Sequence, residues 1–330
     1  MTKAKQISVY ASLSLLLIIV LATVFGAFNL LADGNTALSF EQKLKIVLDL
    51  RLPRILTCIL IGAILSVCGL LMQTLLNNPL ACPYTLGVSQ LVALLLFALI
   101  FWGIQAAFIF IIGLILLLSV FLAITKKTQI SLNDSKSNLI LLGLGLGSFC
   151  SSILLALQFS LDGMSILQLT RWLMGSLAVS GYSGLLPLTL VSALLFASVI
   201  LFHKDLDSLL LGKELAISRG LNPLRVNTIL HIVMFIAVAA VVWSAGPIGF
   251  VGLIVPHSIR LLKVIGHAGQ AILSAICGAA FLCACDLISR FVLAPAEIPI
   301  GVITGLLGTP IFLLLLLIYG RSTKKFANKN

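Results

Sequence analysis

Long apolar runs recur along the whole chain, separated by short polar or Gly- and Pro-containing breaks. A membrane-spanning helix needs about 20 apolar residues at about 1.5 Å rise each. On that measure the pattern predicts ten spans: 8–30, 55–76, 84–103, 105–125, 138–160, 183–202, 225–245, 247–264, 271–292 and 300–319. Only a weak break at Gly103 to Gln105 parts the third from the fourth, and glycine and proline interrupt the eighth. The expected fold is an all-α polytopic membrane protein, a single transmembrane domain over residues 1–330 with a polar connector at 204–222.

Composition supports the membrane reading. Of 330 residues 60% are apolar and 9% charged, against about 25% charged in a soluble domain. The net charge of +11 fits cationic loops that orient a membrane protein better than it fits nucleic acid binding, since no soluble basic domain is present. With ten spans, 15 of the 21 basic residues fall on the side that holds both termini. That excess places both ends in the cytoplasm. The other six are Lys43, Lys45, Arg51, Arg54, Arg171 and Arg290. Their crowding into 43–54 suits either a snorkelling fringe or a docking surface for an acidic partner.

Lys3 and Lys5 ahead of an apolar stretch mimic a signal peptide, but the stretch outruns a usual h-region and reads as an uncleaved first span. The seven cysteines lie mostly in apolar runs and lack metal-ligand spacing, so they read as buried thiols, with no metal expected.

Five patterns stand out. Arg51-Leu-Pro-Arg54 places two arginines three apart where Pro53 suits a helix start. Gly62-Ala63 and Gly69 let neighbouring backbones come close. They are followed by Gln73 and by Asn77-Asn78-Pro79-Leu80-Ala81, where Asn-Pro ends the helix. Residues Gly246 to His257 hold Gly249, Gly252 and Pro256 in a broken helix, tolerated at membrane depth only where protein or a water-filled cavity satisfies the backbone. His257 as a proton relay would need an acid, and none stands near it in sequence. The stretch Gly212-Lys213-Glu214-Leu215-Ala216-Ile217-Ser218-Arg219-Gly220 reads as a short amphipathic helix stopped by Gly220, either an idle connector or a peg for a soluble partner. Asp286 and Arg290 stand four apart in the order that favours pairing. Glu297, Pro299 and Gly301 then open the tenth helix.

Taken together and in this order, from about residue 50 to residue 319, these patterns resemble the FecCD-type permeases of ABC importers for iron-siderophores, haem and cobalamin. The resemblance implies ten helices in the type II importer permease fold, a homodimer around one pathway lined by the fifth and tenth helices, two cytoplasmic ATPase subunits, and a periplasmic or lipid-anchored binding protein. It implies a coupling loop at 204–222. There Gly212, Lys213, Glu214, Ala216, Arg219 and Gly220 meet the ATPase, while Arg51, Arg54 and Arg290 receive acidic residues of the binding protein. Gln73, Asn78, Pro79, Gly249, Gly252, Pro256, His257, Asp286, Glu297 and Pro299 match structural or pathway positions. Two departures are visible: Gln90-Leu91 follows Leu86-Gly87-Val88-Ser89 where relatives carry Gly-Ala, and Gly266-His267-Ala268 replaces an Asp-His-Arg run.

The chain holds no phosphate-cradling Gly-x-x-x-x-Gly-Lys-Ser/Thr loop. It is expected to bind no cofactor and to be no enzyme, with ATP used by its partners. The alternative is an ion-coupled secondary transporter, which would keep ionisable groups near the midplane. A membrane enzyme would need a convergent nucleophile, base or metal cluster, and the sequence offers none.

Overall fold

The computed structural model describes residues 12–15, 17, 39–102, 135–159, 161–177, 181–262, 264, 266–294 and 296–327. The expected span 105–125, and nearly all of 8–30, lie outside them. Among the described residues every element is helical. In chain order these are α1 (Phe40–Ile46), α2 (Leu52–Leu75), α3 (Val88–Trp102), α4 (Ser135–Gln158), α5 (Gly163–Leu173), α6 (Leu185–Leu210), α7 (Lys213–Ser218), α8 (Pro223–Ala245), α9 (Val251–Leu261), α10 (His267–Phe291) and α11 (Ile300–Ala327). Among the described residues four stretches are long and apolar enough to cross a bilayer: Glu41–Leu75, Leu185–Leu210, Pro223–Ala245 and His267–Phe291.

The helix predicted to start at Pro53 begins earlier. A capping box opens α1, with Ser39 and Gln42 each bonding the other's backbone N–H. A π-turn, Val47–Arg51, then joins α1 to α2. Pro53 has no N–H and its ring clashes with the carbonyl four residues back. The wider turn absorbs that misfit, so the helix runs on. At the far end α2 stops in a Schellman motif. Asn77 takes a left-handed φ of 49°, while Asn78 N–H bonds Gln73 O (3.1 Å) and Asn77 N–H bonds Thr74 O (3.1 Å).

Helix α2 is the hub, packed against α10, α9, α6 and α8. Glycine makes this possible. A Cβ at Gly62 would run into the Gly278 carbonyl of α10, and one at Gly69 into the Gly252 carbonyl of α9. Pro256 cannot donate to that Gly252 carbonyl, and the carbonyl lies against Gly69, where only a Cα fits. Ser66 Oγ adds a hydrogen bond across to Ser274 O at 2.7 Å. Helices α3 and α4 meet the same way: Gly87 sits against Gly143 and Gly147, with Gln90 beside Gly147.

The segment predicted to span at 247–264 is helical only over the 11 residues of α9, about 16 Å at 1.5 Å per residue. It starts beside the middle of α2, where Gly252 meets Leu65 and Gly69. The turn before it is strained, with Phe250 at a φ of 66°, a region costly for a bulky residue. Its side chain packs on Gly308 of α11. The adjoining backbone is closed by neighbours: Ser176 N–H bonds Ala245 O (2.8 Å), Ile300 N–H bonds Gly175 O (3.1 Å) and Gly301 N–H bonds Met174 O (3.0 Å). Helix α5, which the hydropathy pattern did not announce, leads into Met174 and Gly175, which supply the last two of those carbonyls, whereas Ala245 ends α8. Helix α5 is capped by Asp162, whose carboxyl is held below the usual range by hydrogen bonding with Ser165.

Gly69→Ala should destabilise the detergent-solubilised protein by about 2 kcal/mol, an overpacking cost. Gly145, which has open space around it, is the control: Gly145→Ala should be neutral or stabilising by up to about 1 kcal/mol. Equal melting temperatures for both variants would refute the close-approach reading of α2.

Candidate functional site

The predicted site residues form groups at opposite ends of the bundle and a set inside it. At the end where α2 starts, Arg54 reaches two acids. Its Nε donates to Asp286 Oδ1 at 2.9 Å, and its Nη1 donates to both Glu297 oxygens at 3.0 Å. The second Asp286 oxygen pairs with Arg290 at 2.9 Å. The predicted Asp286–Arg290 pair is therefore present, with Arg54 as a further partner from another helix. Asp286 is 1% exposed and the Glu297 side chain 42%. Arg51 and Arg290 are buried, near enough to repel one another. The cluster joins α2, α10 and the start of α11. A buried carboxylate is tolerable here because two guanidiniums replace its water.

Pro299 precedes α11, and Ile298 N–H bonds Ser289 O at 3.1 Å. Inside the bundle, the buried Gln73 donates to Leu253 O at 3.1 Å, fixing α9 to α2. Gly249 lies beside the Tyr84 ring, and His257 is buried in α9. Asn78 Oδ1 accepts from Leu80 N–H at 2.9 Å, shaping the turn that carries Pro79.

At the other end, α7 is the predicted short helix. Gly212 enters it at a φ of 120°, with Lys213 as first residue. Gly220 leaves it at a φ of 79°, with Gly220 N–H on Ile217 O (2.9 Å) and Leu221 N–H on Ala216 O (3.1 Å). Glycine is required at both corners. Ala216 is buried, whereas Glu214, Leu215, Ile217, Ser218 and Arg219 are exposed. Two large apolar side chains on so short an exposed helix suit a groove on another protein.

Reading the sequence did not single out a third group. Asp207 at the end of α6 accepts from His267 N–H (3.0 Å) and from His267 Nδ1 (2.6 Å). His267 Nε2 lies 3.1 Å from Thr74 Oγ1, which also accepts from Arg260 at 2.9 Å. The one available signal was His267 itself, four residues before the predicted span 271–292 and part of the stretch that departs from the family's Asp-His-Arg run.

Asp286→Asn should cost about 3 kcal/mol of stability, because it strips charge from a buried network. Glu297→Gln should cost less than about 1 kcal/mol, its carboxylate being half exposed. Denaturant unfolding in detergent measures both, and equal losses would contradict the arrangement.

Comparison with known proteins agrees with this architecture. The sequence matches the FecCD transport family over residues 10–318. It is 38% identical over 285 residues to the vitamin B12 import system permease protein of Vibrio cholerae, covering 84% of each chain. It is 32% identical over 329 residues to the hemin transport system permease protein of Yersinia pestis, covering 92% of this chain and 95% of that one. A solved structure described as an inward-facing conformation of a metal-chelate type ABC transporter superposes with a TM-score of 0.79 at 28% identity, over 95% of this chain and 99% of that chain. The all-helical bundle, the order of its motifs and these matches give one conclusion: the chain belongs to the FecCD transport family.

Proposed function

We propose that this chain is the membrane-spanning permease of a binding-protein-dependent ABC importer, moving a cobalamin, haem or iron-chelate cargo across the inner membrane. The observation that carries this reading is family membership over residues 10–318, among relatives that import vitamin B12 and hemin. Two copies surround one pathway, two cytoplasmic ATPase subunits bind below, and a binding protein delivers cargo from outside. Both termini face the cytoplasm.

The exposed helix α7 supports the ATPase contact. Its buried Ala216 and its two glycine corners hold it on the bundle, and its exposed residues are left for a partner. ATP binding draws the ATPases together, α7 follows, and the bundle tilts to open its pathway to one side and then the other. Docking of the binding protein falls to the end that carries Arg51, Arg54 and Arg290. The ion-coupled alternative is less favoured by one observation. Asp286, the acid such a transporter would have to cycle, is held between Arg54 and Arg290.

Glu214→Ala combined with Arg219→Ala should lower uptake about ten-fold in a reconstituted importer, the loss expected for one interfacial anchor. Hydrolysis by the ATPase subunits should persist, and the permease alone should hydrolyse none. Uptake by the permease without any ATPase would sink the proposal. Competition between labelled cobalamin, haem and ferric siderophores identifies the cargo.

A further inference from the structure

Helix α7 touches the bundle through α6 and α8. Asp207 lies in the last turn of α6, about one turn before the chain bends at Gly212 into α7. Its carboxylate holds the first residue of α10 twice, by the His267 backbone N–H at 3.0 Å and by the ring Nδ1 at 2.6 Å. His267 is buried. Its Nε2 reaches Thr74 in the last turn of α2 (3.1 Å), and Arg260 in the last turn of α9 donates to the same hydroxyl (2.9 Å). One unbroken polar chain thus ties the ends of α6, α10, α2 and α9.

We propose that the chain Asp207–His267–Thr74–Arg260 is the joint that passes a displacement of α7 into the permease core. The assignment rests on the reading of α7 as the element that an ATPase moves. Three observations support it. Asp207 sits where α7 would first pull. Its partner His267 begins α10, which runs 19 residues to Asp286, about 28 Å at 1.5 Å per residue and close to the depth of a hydrocarbon core. At that far end Asp286 grips Arg54 and Arg290. Helix α10 is therefore a rod with a polar grip at each end. It is pressed on α2 at Gly62 and Gly278, so a push at His267 moves both helices. Asp207 and His267 are positioning residues in this scheme and touch no cargo.

The test uses the complete importer in proteoliposomes, with its ATPase and binding protein, in four forms: Asp207→Asn, Asp207→Glu, His267→Gln and the Asp207→Asn/His267→Gln pair. Cargo moved per ATP hydrolysed should fall about five- to ten-fold for Asp207→Asn and for His267→Gln, with ATP turnover within about two-fold of wild type. Asp207→Glu should recover most of the loss. The double variant should lose no more than the worse single one, because the two residues act in one chain. Multiplying losses, or hydrolysis and transport falling in parallel, would reduce the chain to a structural staple and overturn the assignment. If Asp207→Asn does not assemble, Thr74→Val, which removes the bridging hydroxyl at nearly constant volume, is measured in the same way. Failure of both to assemble also overturns it. An inactive wild-type complex would instead defeat the importer reading, and this assignment with it.

Discussion

Two neighbouring backbones approach α2 so closely that no side chain fits between them, and the rest of the bundle is arranged around that fact. In lipid, apolar surface alone does not drive one helix onto another, so association depends on close packing and satisfied polar groups. Gly62 against Gly278 and Gly69 against Gly252 supply the first. Ser66 bonding Ser274 O and Gln73 bonding Leu253 O supply the second. With its position fixed, α2 becomes the reference against which the half-length α9 and the long α10 are held. Larger side chains at these glycines would push α9 and α10 away from α2.

Charge is handled at the two ends of the same helix. Where α2 begins, Arg54 meets Asp286 and Glu297. Where it ends, Thr74 receives Arg260 and faces His267. Between these ends α2 is almost wholly buried. Ionised groups inside hydrocarbon are costly unless paired, and the chain places them where two or more helices converge. Each such meeting point both satisfies the charges and fixes the register of the helices that bring them.

Features encoded locally were legible in the sequence. The glycine spacing on α2 and the Asp286–Arg290 pair four residues apart rest on helical periodicity, the stop at Gly220 on glycine's freedom at positive φ, and the structure contains each. Features set by distant partners were not. Arg54 lies 232 residues from Asp286 and Asp207 lies 60 from His267, and no periodicity joins such positions. The π-turn before Pro53 was missed for a different reason. A proline reads as a helix start when the upstream residues are polar, and Lys43, Lys45 and Asp49 are, yet the capping box at Ser39 and Gln42 nucleates helix ahead of it. Helix α5 escaped because its 11 residues are amphipathic and too short for a hydropathy window. The structure places the cluster around Arg54, the buried Gln73 and the exposed α7.

The pairing of Arg54 changes what docking at that end would require. A basic rim that simply faced outward would attract an acidic partner over a distance set by salt screening. Here Arg51 and Arg290 are buried and Arg54 is held by two carboxylates. Of the two acids only Glu297 is substantially exposed. A partner carboxylate can gain Arg54 by replacing Glu297, whereas replacing Asp286 would mean opening the buried core of the cluster. Because Glu297 lies three residues before Ile300, the first residue of α11, such an exchange would free the start of that helix. Binding at the rim and release of the start of α11 would then be one event, a direct consequence of one arginine serving two acids on different elements.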